Sequence, residues 1–343
     1  MDIGRVPLSL VLHRVIFSAL ILSIFLQPVL VGAEGFGPFP VRNFQAFQQM
    51  VLSLPGDRAA VVKPGTLDVR VELADTSRIY SQPSISVKFE TLRSGLFLRY
   101  GATDKLELGL EVPVLYRYDG FMEGAITVTE RATTGMNLAR DILKNTNFAF
   151  NVTRNGQTIM SGDPGAVGLG DMILMSKYQF LMEGAAMPAV SLRGAVKLPT
   201  GNQADFFGSG SLDFGLGLAV EKLVAGRWML YANMTGVIPT GTIAGIGLQP
   251  TFSGLAAIEY LWSENFSITT HFDYYSSPFE LTGINTFDKD VTESVLGFNY
   301  RVLPHFLWQM YAVENVDFIT GSAADFTLST VFTYRFEPSS SRQ

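Results

Sequence analysis

Leu106-Glu107-Leu108-Gly109-Leu110-Glu111-Val112-Pro113-Val114 decides the fold. Alternate residues Leu106, Leu108, Leu110, Val112 and Val114 form one set, and Glu107, Gly109 and Glu111 belong to the other. Successive side chains of an extended chain point to opposite faces, so the segment predicts a strand with one greasy side and one wet side. The pattern recurs downstream. Leu212, Phe214, Leu216, Leu218 and Val220 stand against Asp213, Gly215, Gly217, Ala219 and Glu221. Phe266, Ile268, Phe272 and Tyr274 stand against Ser267, Thr269, His271 and Asp273, and Phe326, Leu328, Phe332, Tyr334 and Phe336 against Thr327, Ser329, Thr333 and Arg335.

The composition needs the same explanation. The chain is 47% hydrophobic with a mean hydropathy of +0.23, yet past its N-terminal stretch no apolar run approaches the ~20 residues of a membrane helix. A ring of strands with every second residue turned to lipid gives high apolar content without long runs. The 33 glycines, 26 phenylalanines and 12 tyrosines suit strands and turns. The expected fold is therefore all-β, a transmembrane antiparallel up-and-down β-barrel. Its strands fall at about 66–74, 84–101, 106–117, 170–180, 187–198, 211–222, 227–238, 250–261, 265–276, 290–302, 305–314 and 324–336. A switch of the apolar phase between Phe89 and Leu96 predicts a bulge near Gly95.

The connections alternate in length. Short ones span 102–105, 181–186, 223–226, 262–264 and 303–304; long ones span 75–83, 118–169, 199–210, 239–249, 277–289 and 315–323. Short periplasmic turns alternating with long extracellular loops are the habit of Gram-negative outer-membrane barrels. A soluble β-sandwich also alternates, but it has less reason to place Tyr100, Tyr116, Tyr260, Trp262, Tyr274 and Phe336 near strand ends, where a barrel wants an interfacial girdle.

The flanks divide as follows. Residues 1–33 read as a signal peptide, with Arg5, His13 and Arg14 before an apolar run from Val15 to Leu26 and a small-residue site at Val31-Gly32-Ala33. Residues 34–65 form a periplasmic N-terminal segment or a plug, 66–336 the barrel and 337–343 a tail. Within the 118–169 extracellular loop, helical spacing over 120–145 and a hairpin turned at Asn155-Gly156 suggest a cap or ligand lid.

Gly37-Pro38-Phe39-Pro40-Val41-Arg42-Asn43 is similar to the opening sequence of an uncharacterised proteobacterial family, DUF3187. Further blocks extend the resemblance over nearly all of the chain past residue 33. They are Leu98-Arg99-Tyr100-Gly101 with Asp104-Lys105-Leu106-Glu107-Leu108-Gly109, Gly168-Leu169-Gly170-Asp171, Val196-Lys197-Leu198-Pro199-Thr200-Gly201, and Gly208-Ser209-Gly210 with Asp213. The resemblance implies an outer-membrane barrel and brings no established activity. The seven residues after Phe336 depart from the terminal aromatic with which such barrels usually end.

Chemistry-bearing residues concentrate on the wet faces. Glu107, Glu111, Arg193, Lys197, Asp213, His271, Asp273 and Arg335 are the candidate lumen and selectivity residues. Charges of both signs either line a channel and set its selectivity, or pair across the lumen and close it. A passive or gated channel for a small solute is the leading reading, a closed structural or binding barrel the alternative. A lipid-modifying enzyme working through His271 is a third reading; no Gly-x-Ser-x-Gly elbow occurs, so no catalytic residue is assigned. Asp163 and Asp171 would suit calcium weakly, and no metal or cofactor is expected. With no cysteine and a formal net charge of −6, thiolate chemistry and nucleic-acid partners are both disfavoured. The expected partners are outer-membrane lipid and lipopolysaccharide, the barrel assembly machinery and a small solute.

Overall fold

The computed structural model describes residues 34–132, 138–316 and 324–338; the expected signal peptide at 1–33 and the tail's residues 339–343 lie outside them. Twelve antiparallel strands form a closed ring. They are β1 (Leu67–Gln82), β2 (Ile85–Gly101), β3 (Leu106–Tyr118), β4 (Met172–Leu181), β5 (Ala189–Leu198), β6 (Asp213–Val224), β7 (Trp228–Pro239), β8 (Thr251–Leu261), β9 (Phe266–Tyr275), β10 (Val291–Leu303), β11 (Phe306–Asn315) and β12 (Phe326–Phe336). Each strand pairs with the next, and β12 returns to β1 with Leu67 opposite Phe336 and Ser77 opposite Phe326. Closure satisfies the backbone donors and acceptors that an open edge would leave bare in lipid.

The alternation read from the sequence sets which side chains face out. Leu108, Leu216, Phe272 and Phe332 are exposed, while Glu107, Glu111, Asp213, His271 and Asp273 are buried inside the ring. Tyr100, Tyr178, Trp262, Tyr300 and Tyr334 stand exposed toward the short-turn end, where an aromatic girdle belongs. So broad an apolar belt is stable only if hydrocarbon covers it.

Two expectations are corrected. The stretch expected as a long connection at 75–83 is mostly strand, because β1 and β2 pair in unbroken register up to Gln82 opposite Ile85. Nor does a bulge occur at Gly95, which sits opposite Glu72 in that same register. The apolar phase switches because the surroundings change along the hairpin. Beyond the belt, its inner face (Ile85, Val87, Phe89) joins an apolar cluster, and its outer face is covered by the connection that follows β3. Lys88 and Glu90, the charged residues of that stretch, lie on the outer face. Lys88 donates to the Leu143 carbonyl and Glu90 accepts from the Phe121 and Met122 amides.

That connection carries helices Glu123–Ala132 and Leu138–Ile142, then a hairpin of Ala149–Arg154 and Gln157–Ser161. Asn155 and Gly156 both take positive φ there, as the Asn-Gly turn predicts. Ile79 of β1 packs on Ala139 and Leu143. The hairpin lengthens the β2 edge by pairing Ala149–Val152 with Ile85–Lys88.

The outward assignment of β6 is testable. Leu218→Arg, near the middle of that strand, should cost about 2–4 kcal/mol of folding stability in phospholipid vesicles, measured by urea titration. An unchanged midpoint would mean this face does not sit in hydrocarbon.

Candidate functional site

Residues 34–66 contain no strand, yet they carry much of the buried interior. The segment, called the arm below, makes two limbs inside the ring. The first rises from Phe36 beside Glu259, past Phe39 against the rings of His271 and Tyr311, to Phe47 under Phe287 and Phe150. A short 3-10 turn at Gln48–Met50 reverses it. The second limb descends past Asp213, Asn233 and Glu221 to Val62 at Glu107. The Gly56 amide donates to the Val41 carbonyl at 3.1 Å and ties the limbs together.

Without a ladder of its own, the arm satisfies its polar groups with lumen side chains. The Leu52 amide donates to Asp213 at 2.8 Å, Ala59 to Glu221 at 3.0 Å and Val62 to Glu107 at 2.9 Å. In the other direction Lys197 donates to the Met50 carbonyl at 2.8 Å, and Arg193 to the Pro55 carbonyl at 2.6 Å. The barrel thus supplies both signs to a backbone that needs both.

Three charge clusters hold the arm. In the first, Arg42 meets Glu111 at 2.6 Å and Glu72 at 4.0 Å, while Arg93 bonds Glu72 at 2.9 Å and also pairs with Glu111. The Tyr311 hydroxyl donates to Glu72 at 2.6 Å, and both guanidinium groups lie over the Phe97 ring. In the second, Asp57 takes Arg99 at 3.0 Å and Lys177 at 2.9 Å; Lys177 reaches Glu107 at 3.2 Å, and Arg335 forks onto Asp68 at 2.8 and 2.9 Å. In the third, Lys197 sits between Asp171 at 2.8 Å and Asp213 at 3.1 Å, and also bonds Ser209.

The arm's own ionisable groups feel these partners. Burial alone would push the Asp57 carboxyl up, but the Lys177, Arg99 and Arg193 charges outweigh it and hold it well below the usual carboxylate range. Burial would likewise lower Arg42, yet Glu111 and Glu72 more than offset it and the group is shifted upward.

The structure scatters the sequence-derived candidates over several contacts. Glu111, Glu107, Lys197 with Asp213, and Arg335 enter the clusters above, and Arg193 bonds the arm and Asn233 at 3.4 Å. His271 does meet Asp273, with Nδ1 2.7 Å from the carboxylate. Among the described residues its Nε2 has no partner, so no hydroxyl is aligned as a nucleophile, and Phe39 covers the ring at 5.5 Å. The calcium suggestion fails at Asp171, whose oxygens are taken by Lys197 and the amides of Gly201 and Ser209; Asp163 is exposed elsewhere.

Sequence reasoning missed Arg42, Asp57, Arg58 and Arg93. Arg93 was legible: it is in phase with Arg99 once β2 is read as one unbroken strand. The arm residues had no periodic signal to betray them.

The family model described as "Protein of unknown function (DUF3187)" matches residues 14–336. The chain belongs to the DUF3187 family. A comparison with curated protein sequences finds no match. Among solved structures, the COG4313 outer membrane channel from Pseudomonas putida F1 is similar at 15% identity, covering 82% of this chain and 99% of that one, with a TM-score of 0.58. The NanC porin (10% identity, 79% and 100% covered, TM-score 0.45) and the KdgM porin (8%, 79% and 99%, 0.41) are further neighbours. At such identities the likeness to the first is one of fold, that of an outer-membrane barrel.

The sequence blocks that carry the resemblance to the family meet at the arm. Arg42 of the opening block pairs with Glu111, Arg99 and Glu107 of the next blocks hold Asp57 and Val62, and Asp171, Lys197, Ser209 and Asp213 form the third cluster. Gly201 and Gly208 let two of these loops approach over Asp171. A Cβ on Gly201 would stand 2.8 Å from the Gly208 Cα, and one on Gly208 would stand 2.7 Å from the Gly201 Cα.

Asp57 gives a pH prediction with a definite sign. Its folded carboxyl is depressed, so its stabilising effect is full above the ordinary value of about 4 and erodes as pH falls below that toward the folded value. The thermal midpoint should therefore drop in acid, and Asp57→Asn should lower it at neutral pH while flattening the acid decline. A variant melting like the parent at every pH would remove Asp57 from the arm's anchorage.

Proposed function

We propose that this chain is a gated channel of the Gram-negative outer membrane, shut in the state described here by its own residues 34–66, and that it passes a small water-soluble solute when they yield. The observation that carries the reading is the way the lumen is filled. The arm packs apolar side chains from Phe39 to Leu54, but along both limbs it is also held by ion pairs and by hydrogen bonds from lumen side chains. Water can replace such contacts far more readily than it can replace an apolar core.

With the arm withdrawn, Glu107, Glu111, Arg193, Lys197, Asp213, His271, Asp273 and Arg335 would face water in a ring of twelve strands. A ring of that size is wide enough for a narrow bore, and these charges would set its selectivity. The short turns would lie in the periplasm and the capped end outside, among lipopolysaccharide, after insertion by the barrel assembly machinery.

A permanently closed structural or binding barrel is the second reading, favoured by the apolar cluster of Phe47, Met50, Phe150, Val152, Phe279 and Phe287 at the long-loop end. A lipid-modifying reaction at His271 gains no support, since that ring lies inside the wall and under Phe39 rather than toward lipid.

Planar-bilayer recording separates the two main readings. The unaltered chain should give rare, brief openings, and the double variant Arg42→Gln/Asp57→Asn should raise the open fraction at least tenfold at equal salt. Silence from both proteins at every voltage would sink the channel.

A further inference from the structure

At the short-turn end of the ring, between the arm and the inner ends of the strands, lies a cavity of about 280 Å³. Its wall is strongly one-signed. Arg58, Arg70, Arg99, Arg301 and Arg335 line it with Lys63, against the carboxylates of Glu34 and Asp68 alone. Most of these cations have local employment. Arg58 meets Glu221 at 3.0 Å, Arg99 meets Asp57, Arg335 forks onto Asp68, and Arg301 donates to the Glu264 carbonyl at 3.2 Å while lying over Phe36.

Arg70 does not. Its Nε is buried with no hydrogen-bond partner among the described residues, and it forms no ion pair there. Its guanidinium rests over the Phe97 ring at 5.7 Å, a ring already shared with Arg42 and Arg93. The Arg99 Nε beside it is also buried and unpartnered. Buried N–H groups without acceptors are costly, and an uncompensated guanidinium more so. The missing partner is thus an acceptor with negative charge. The planar fork of arginine matches the oxygens of a phosphate or carboxylate.

We propose that this cavity is a binding site for a small soluble anion bearing phosphate or carboxylate groups, centred on Arg70 and completed by Arg99 and Arg335. The site belongs to the filled barrel, so the proposal stands apart from whether the lumen conducts.

The test is calorimetric titration of the full chain, purified from expressing cells in zwitterionic detergent, with inorganic phosphate and separately with citrate, ionic strength being held constant with sodium chloride. Saturable binding of at least one anion is expected. Arg70→Gln should weaken it at least tenfold, while Lys222→Gln, near the end of β6 beside Glu183, should leave it unchanged. Should Arg70→Gln fold poorly, Arg70→Lys keeps the charge without the fork and should bind measurably more weakly than the parent. The unaltered barrel is a readout in itself: the binding anion should raise its thermal midpoint where sodium chloride of equal ionic strength does not. Absence of saturable binding to the unaltered barrel overturns the site, as does parental affinity in a folded Arg70 variant. Repeating the titration in vesicles distinguishes a solute from a headgroup. Equal binding in zwitterionic and anionic phospholipid supports the soluble ligand, and suppression by anionic lipid would assign the cavity to a lipid phosphate and overturn it.

Discussion

A carboxylate or guanidinium carried inside a ring whose outside is hydrocarbon needs a partner, because an isolated buried charge costs several kcal/mol even after relaxation. Most of this barrel's interior follows from that requirement. The twelve strands bring in Glu72, Glu107, Glu111, Asp213, Glu221, Lys177, Arg193 and Lys197 from every side. Cross-strand pairing satisfies some of them, such as Lys177 with Glu107. The arm supplies much of the rest, with Arg42 between two glutamates, Asp57 between two cations, and backbone amides for Asp213 and Glu221. Arm and barrel are therefore complementary in charge as well as shape, and neither interior surface is self-sufficient.

The clusters differ in kind along the axis. Around Lys197 the cation is enclosed by two aspartates and a carbonyl, and the loops bearing them are drawn together by glycines. Around Phe97 three guanidinium groups share one aromatic ring, two of them balanced by Glu72 and Glu111. At the long-loop end polarity gives way to packed aromatics, with Phe47 wedged among Phe150 and Phe287. Charge adds to apolar packing over the limbs and dispersion dominates at the turn, so the two ends of the lumen respond to different solvents and salts.

Much of this was legible in the sequence, and the boundary has a physical cause. Leu106 to Val114 and Leu212 to Glu221 announce their faces because lipid and lumen impose a two-residue period, and all twelve strands were found that way. The period misled where the surroundings changed along one hairpin. Ile85, Val87 and Phe89 are greasy yet inside, Lys88 and Glu90 charged yet outside, since there the interior is an aromatic cluster and the exterior is protein. The arm was opaque for a deeper reason. Its contacts are set one at a time by residues distant along the chain, from Glu107 at Val62 to Thr286 at Gln45, with no repeat to read. The individual site residues were visible as inward charges, but many of their partners were not, because those belong to a segment without periodicity.

The enclosure of residues 34–66 also constrains the order of events in folding. The segment that precedes β1 touches β3, β5, β6, β7, β8, β9 and β11, so it contacts nearly the whole circumference. A sheet still open between β1 and β12 could lay those strands around it, whereas a ring already sealed would have to admit a bent, charged polypeptide through one mouth. Docking before the seam forms would make this peptide a template for curvature, present while the sheet is still choosing its radius.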